Sequence, residues 1–154
     1  MKKIVLVTGA SAGIGQATAI YLAQQGYTVY AGARRTDKMR ALTSYGITPI
    51  MLDVTQDDSV VACVQQIFAA EGGLDILVNN AGFGLEGAIE DLPLPEARYQ
   101  MEVNVFGAMR LAQLVLPKMR ANRYGKIVNI SSVGGKIAFP LGDGITPANL
   151  RWKR

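Results

Sequence analysis

The run Thr8-Gly9-Ala10-Ser11-Ala12-Gly13-Ile14-Gly15 constrains this chain more than any other feature. It follows the apolar stretch Ile4-Val5-Leu6-Val7 and precedes residues 13–25, where Ile14, Ala17, Tyr21 and Leu22 recur at helical spacing until Gly26. Strand, glycine turn and helix in that order open a βαβ unit, because a short, wholly apolar strand suits a parallel sheet buried on both faces. Each glycine has a task at this spacing: Gly9 permits the sharp turn, Gly13 lets a pyrophosphate approach the backbone, and Gly15 brings helix close to strand. The helix N-terminus then offers N–H groups and a positive dipole end to phosphates.

The alternation continues to residue 131. Strands are expected at 3–8, 28–33, 48–53, 74–79 and 126–131, with helices at 37–44 and from 57 onward. A further helix is expected from Pro95 to about Leu116, which Pro117 should interrupt or end. About five strands alternating with helices predict a single α/β unit, a doubly wound parallel sheet.

Composition narrows the chemistry. With 49% apolar and 18% charged residues the chain can build a core. It has no His, and Cys63 is its single cysteine, which removes disulfides, His-based triads and the common zinc sites, so no metal is expected. Cys63 itself reads as a small core residue on the third helix. Apolar runs fall far short of the roughly 20 residues of a membrane helix. The four apolar residues after Lys3 cannot make a signal-peptide h-region of about 7 to 15. A cytoplasmic chain with no membrane partner is the expectation. Of the net charge of +4, Arg151, Lys153 and Arg154 supply most, so no nucleic-acid partner is expected.

Three further motifs follow the glycine loop in order. Asn79-Asn80-Ala81-Gly82 comes after the fourth strand, Val103-Asn104-Val105-Phe106-Gly107 lies in the long helix, and Ile130-Ser131-Ser132 closes the fifth strand. On these motifs residues 1–142 resemble the short-chain dehydrogenase/reductase family. The resemblance implies a Rossmann-type fold and hydride transfer between a nicotinamide dinucleotide and a carbonyl or alcohol carbon of a small molecule. It implies a dinucleotide held along Gly9, Ser11, Gly13, Ile14 and Gly15, with Asp53 accepting from the adenine amino group and Val54 against the ring. Asn80, Ala81 and Gly82 would run beside the adenosine ribose and nicotinamide, and the main-chain carbonyl of Asn104 would position a proton-relay water. Ser132 would bond the substrate oxygen and stabilise developing charge there, with Ser131 as its neighbouring alternative. From the residues alone, Asp53 suits a turn or helix cap equally well, and the serines a strand-end turn.

Cofactor choice has a physical argument at the end of the second strand, where NAD enzymes place a carboxylate on the ribose 2′-hydroxyl. Here that strand ends Ala33-Arg34-Arg35. Two guanidinium groups can hold a 2′-phosphate by charge-assisted bonds, and Ser11 can add a hydroxyl, so NADP(H) is expected over NAD(H).

The chain departs from the family pattern after residue 142. The family's acid is a tyrosine thirteen positions after the serine, followed four later by a lysine, but positions 145 and 149 hold Ile145 and Asn149. Neither side chain has a titration suited to moving a proton. Read one base out of frame, permitted codons for residues 143–154 give Trp-Tyr-His-Ala-Ser-Lys, which contains Tyr-x-x-x-Lys. The expectation is therefore an incomplete NADP-binding Rossmann domain at 1–142, lacking the C-terminal strands, and an aberrant frameshifted tail at 143–154. Such a chain should be inactive or nearly so, and a nonenzymatic NADP(H)-binding module is the alternative. The resemblance also implies homo-oligomers built on two helices, of which the Asn104 helix alone falls in this sequence, so the family's assembly is not carried over.

Overall fold

The computed structural model describes residues 2–85, 87, 88 and 90–132. The expectations for positions 143–154, Ile145 and Asn149 among them, lie outside the described residues.

Five parallel strands alternate with helices. They are β1 (Ile4–Thr8), α1 (Gly13–Gln24), β2 (Thr28–Ala33), a 3-10 segment (Thr36–Tyr45), β3 (Thr48–Met51), α2 (Asp57–Glu71) and β4 (Ile76–Asn79). There follow α3 (Leu94–Met101), a π-helical turn (Glu102–Phe106), α4 (Gly107–Ala121) and β5 (Lys126–Asn129). The strand order is β3-β2-β1-β4-β5. The chain thus builds outward from β1 on one side, then crosses to build outward on the other, which leaves a crevice between the C-terminal ends of β1 and β4.

Strict alternation along the strands explains the two layers. Leu6, Tyr30, Ile50 and Leu77 point to one face, where Val60, Cys63, Val64 and Ile67 of α2 and Leu111, Val115 and Met119 of α4 cover them. Val5, Val7, Val29, Ala31, Ile76 and Val78 point to the other, against Ala19 of α1 and Met39 and Leu42 of the 3-10 segment. A sheet apolar on both faces needs a helical layer on each, and the sequence supplies both. Burial pushes the Cys63 thiol up to about 12, as suits a packing residue. Burial, reinforced by the bond that the Tyr30 hydroxyl donates to Glu71, pushes that phenol to about 12 as well.

Two readings of the long helix are corrected. Pro117 neither ends nor interrupts it: α4 runs through Pro117 to Ala121. Leu111, Val115 and Met119 form one buried stripe that spans the proline, while Pro117 itself is exposed, so core burial outweighs the lost backbone bond. The helix is also not regular, since the Gly107 N–H donates to the Glu102 carbonyl, five residues back. Strands β3 and β5 end two residues before the expected limits, at Met51 and Asn129.

Candidate functional site

Two cavities, of about 390 and 440 Å³, open at the C-terminal ends of the strands. Gly9, Ala12, Ala81, Gly82 and Phe83 line both, so the cavities meet along a common wall. That wall lies at the crevice beside β1 and β4, where ligands of open α/β sheets bind.

The glycine loop is shaped by close backbone approach. Gly9 has φ +66°, and a Cβ there would stand 2.8 Å from the Ala81 Cα. A Cβ on Gly15 would stand 2.6 Å from the Gly9 carbonyl oxygen, so α1 starts hard against the turn. Gly13 differs: at φ +58° it faces open space, with nothing within 4 Å of a Cβ position. Helix α1 has no side-chain cap and no acidic residue in its first turn, which leaves its N-terminal N–H groups open to an anion.

Thr8 ties this loop to the next motif. Its buried hydroxyl oxygen accepts the Asn80 N–H at 3.0 Å and the Ala81 N–H at 2.9 Å, while Asn80 Nδ2 donates to the Thr8 carbonyl at 2.9 Å. The ends of β1 and β4 are therefore tied together, and Asn80, Ala81 and Gly82 line the cavity.

The larger cavity collects Ser11, Arg34, Arg35, Asp53 and Val54. Arg35 Nη2 donates to Ser11 Oγ at 3.5 Å. Asp53 is engaged as a turn residue: its Oδ1 accepts the Thr55 N–H at 3.0 Å and the Thr55 hydroxyl at 2.8 Å. That is the turn role weighed for it from sequence, and it holds Asp53 and Val54 at the cavity wall. A Cβ on Gly107 would meet the Val54 carbonyl at 2.6 Å, so this glycine lets α4 press against Val54.

The smaller cavity collects Ile14, Gly15, Asn104, Ser131 and Ser132. Asn104 clamps the Phe83 backbone with both ends of its amide, Oδ1 accepting the N–H at 3.0 Å and Nδ2 donating to the carbonyl at 2.8 Å. At the cavity floor Asn79 Nδ2 donates to Asn129 Oδ1 at 2.9 Å, and the buried Asn79 Oδ1 has no donor among the described residues. Of the residues expected from sequence, all but Gly13 line one cavity or the other. Among those given no role from sequence are Phe83, Tyr99, Val103 and the Asn79–Asn129 pair. Asn79 and Val103 stood in motifs already noticed and Asn129 directly precedes one, whereas Tyr99 carries no motif at all.

Residues 3–143 match the family model described as short chain dehydrogenase. A 3-ketodihydrosphingosine reductase of Bacteroides thetaiotaomicron is 41% identical over 138 residues, 90% of this chain and 50% of that protein. An uncharacterized oxidoreductase of Escherichia coli, YbbO, is 37% identical over 141 residues, 91% of this chain and 52% of that one. The chain thus spans about half the length of these curated relatives. A short-chain dehydrogenase from Streptomyces avermitilis superposes with a TM-score of 0.93 at 38% identity, covering 97% of this chain and 56% of that one. A metagenomic short-chain oxidoreductase in complex with NADP superposes with a TM-score of 0.90 at 32% identity, covering 96% and 70%.

Proposed function

Because the chain belongs to the short-chain dehydrogenase family, we propose that residues 1–142 are the NADP(H)-binding part of an oxidoreductase acting on a carbonyl or alcohol carbon of a small molecule. When bound, the dinucleotide supplies or accepts the hydride. The loop Gly9–Gly15 and the N–H groups of α1 hold its pyrophosphate, with Gly13 giving the room. Arg34 and Arg35, with Ser11 beside them, hold the 2′-phosphate, and Asp53 and Val54 border the adenine. Asn80, Ala81 and Gly82 line the path toward the smaller cavity, where Ser132 orients the substrate oxygen. Asn104, its side chain spent on Phe83 and its helix loosened to five-residue bonding, presents backbone carbonyl for a relay water.

The observation that carries the NADP(H) reading is the pair of guanidinium groups at one cavity with no carboxylate paired to either among the described residues. The NADP in the metagenomic neighbour agrees with it, and the name of the Bacteroides relative, 3-ketodihydrosphingosine reductase, agrees with a carbonyl substrate. No tyrosine follows Ser132 in the sequence, so residues 143–154 bring no family acid and the 154-residue chain binds without turnover.

The test is the melting temperature of the chain with NADPH and with NADH, alongside NADPH oxidation over a panel of small ketones and aldehydes. NADPH at 100 times its Kd should stabilise by about 2.7 kcal/mol, with a smaller effect from NADH at equal concentration. Equal stabilisation would overturn the cofactor preference. Turnover would overturn the proposed inactivity, whereas binding without it leaves a nonenzymatic NADP(H)-binding module.

A further inference from the structure

Arg34 directly follows β2 and Tyr99 sits in α3, 65 positions away, yet Arg34 Nη1 donates to Tyr99 Oη at 2.9 Å. The Tyr99 ring packs on Phe83, with centroids 5.7 Å apart and planes tilted by 40°. Phe83 is a fixed support, because Asn104 clamps its backbone and the buried Gln100 Nε2 donates to its carbonyl at 3.3 Å. Arg34, Tyr99 and Phe83 all line the larger cavity. A phenol oxygen is a neutral acceptor, so it directs a guanidinium without cancelling its charge, and most of the guanidinium N–H donors stay available. The hydroxyl keeps its own proton to give to an anion.

We propose that Tyr99 is a positioning residue for 2′-phosphate recognition, holding Arg34 at the cavity through its hydroxyl while its ring leans on Phe83. The proposal rests on the NADP(H) reading above and adds a residue that no motif marks. An arginine free in solvent loses rotamer freedom when it meets a phosphate. One held during folding has lost it already, and affinity rises accordingly.

Calorimetry with 2′,5′-ADP and with 5′-AMP, which differ only in the 2′-phosphate, tests this on the 154-residue chain, Tyr99→Phe, Arg34→Ala and the double variant. Tyr99→Phe should weaken 2′,5′-ADP about fivefold and 5′-AMP less than about twofold. With Arg34→Ala already in place, adding Tyr99→Phe should change 2′,5′-ADP binding less than about twofold. Unchanged 2′,5′-ADP affinity in Tyr99→Phe, equal losses for both ligands, or the same loss without Arg34 would each overturn the proposal. Failure of the underlying reading looks different: the parent chain would then bind 2′,5′-ADP no tighter than 5′-AMP, which removes the role for Tyr99 as well.

Discussion

The two cavities along the sheet's C-terminal edge are built from opposite materials. The one beside β2 and β3 has Arg34, Arg35 and Asp53 on its wall, together with the Tyr99 phenol. The one beside β4 and β5 is lined, among the described residues, by four asparagines, two serines and small or apolar groups, with no titratable side chain. Under the proposed function, formal charge is concentrated at the cavity assigned to the 2′-phosphate, and neutral amides and hydroxyls at the one assigned to the substrate oxygen. Charged partners supply affinity, while neutral hydrogen bonds supply direction at little cost in desolvation. Under the same proposal the residues around β1 to β3 and α3 serve the first task, and the amides and hydroxyls beside β4 and β5 serve the second.

That contrast breaks most sharply at Asn79. Asn79→Asp would place a carboxylate at a 6% exposed position facing the Asn129 Oδ1, in place of a donor. It should cost about 4 kcal/mol at pH 7 in denaturant unfolding. The buried carboxyl would have a raised folded pKa, so the loss should shrink as pH falls below that pKa and the protonated acid can donate. Next in size is Gly9→Ala, whose Cβ would stand 2.8 Å from the Ala81 Cα at φ +66°. A loss of about 3 kcal/mol is expected from the same measurement, with NADPH binding lost alongside it. The double substitution Arg34→Ala with Arg35→Ala should leave the melting temperature of the ligand-free chain nearly unchanged, since both side chains are exposed. It should weaken NADPH about 100-fold and NADH less than about twofold in a binding titration. Smallest is Ser132→Ala, expected to change NADPH affinity less than about twofold, because the role proposed for Ser132 is at the substrate oxygen. A large loss of NADPH affinity there would show that the neutral cavity also holds the dinucleotide tightly, and the division of labour would fall.

The layers of the fold were legible because both faces of each strand must be apolar in a doubly wound sheet. Ile4–Thr8, Thr28–Ala33 and Ile76–Asn79 could be recognised from their own residues. The glycine loop was legible for a related reason: a tight turn that backbone must approach leaves little room for a Cβ. Pro117 misled because its helix is held by packing on the core, a force that local propensity does not contain. The π-helical turn at Glu102–Phe106 was hidden likewise, since one extra residue per turn leaves no mark on composition.

Sequence by itself determined the order of elements, the glycine loop and the placing of two arginines at a strand end, all properties of neighbours along the chain. The tertiary structure decided which of those residues share a wall. It set Gly107 against Val54, tied Thr8 to Asn80 and Ala81, and brought Tyr99 within 2.9 Å of Arg34. Those contacts join positions tens of residues apart, and the sheet order β3-β2-β1-β4-β5 is what places the strand ends and α3 around one crevice. Local pattern fixes what each segment becomes, and long-range packing fixes what each side chain meets, because burial against distant partners outweighs local preference.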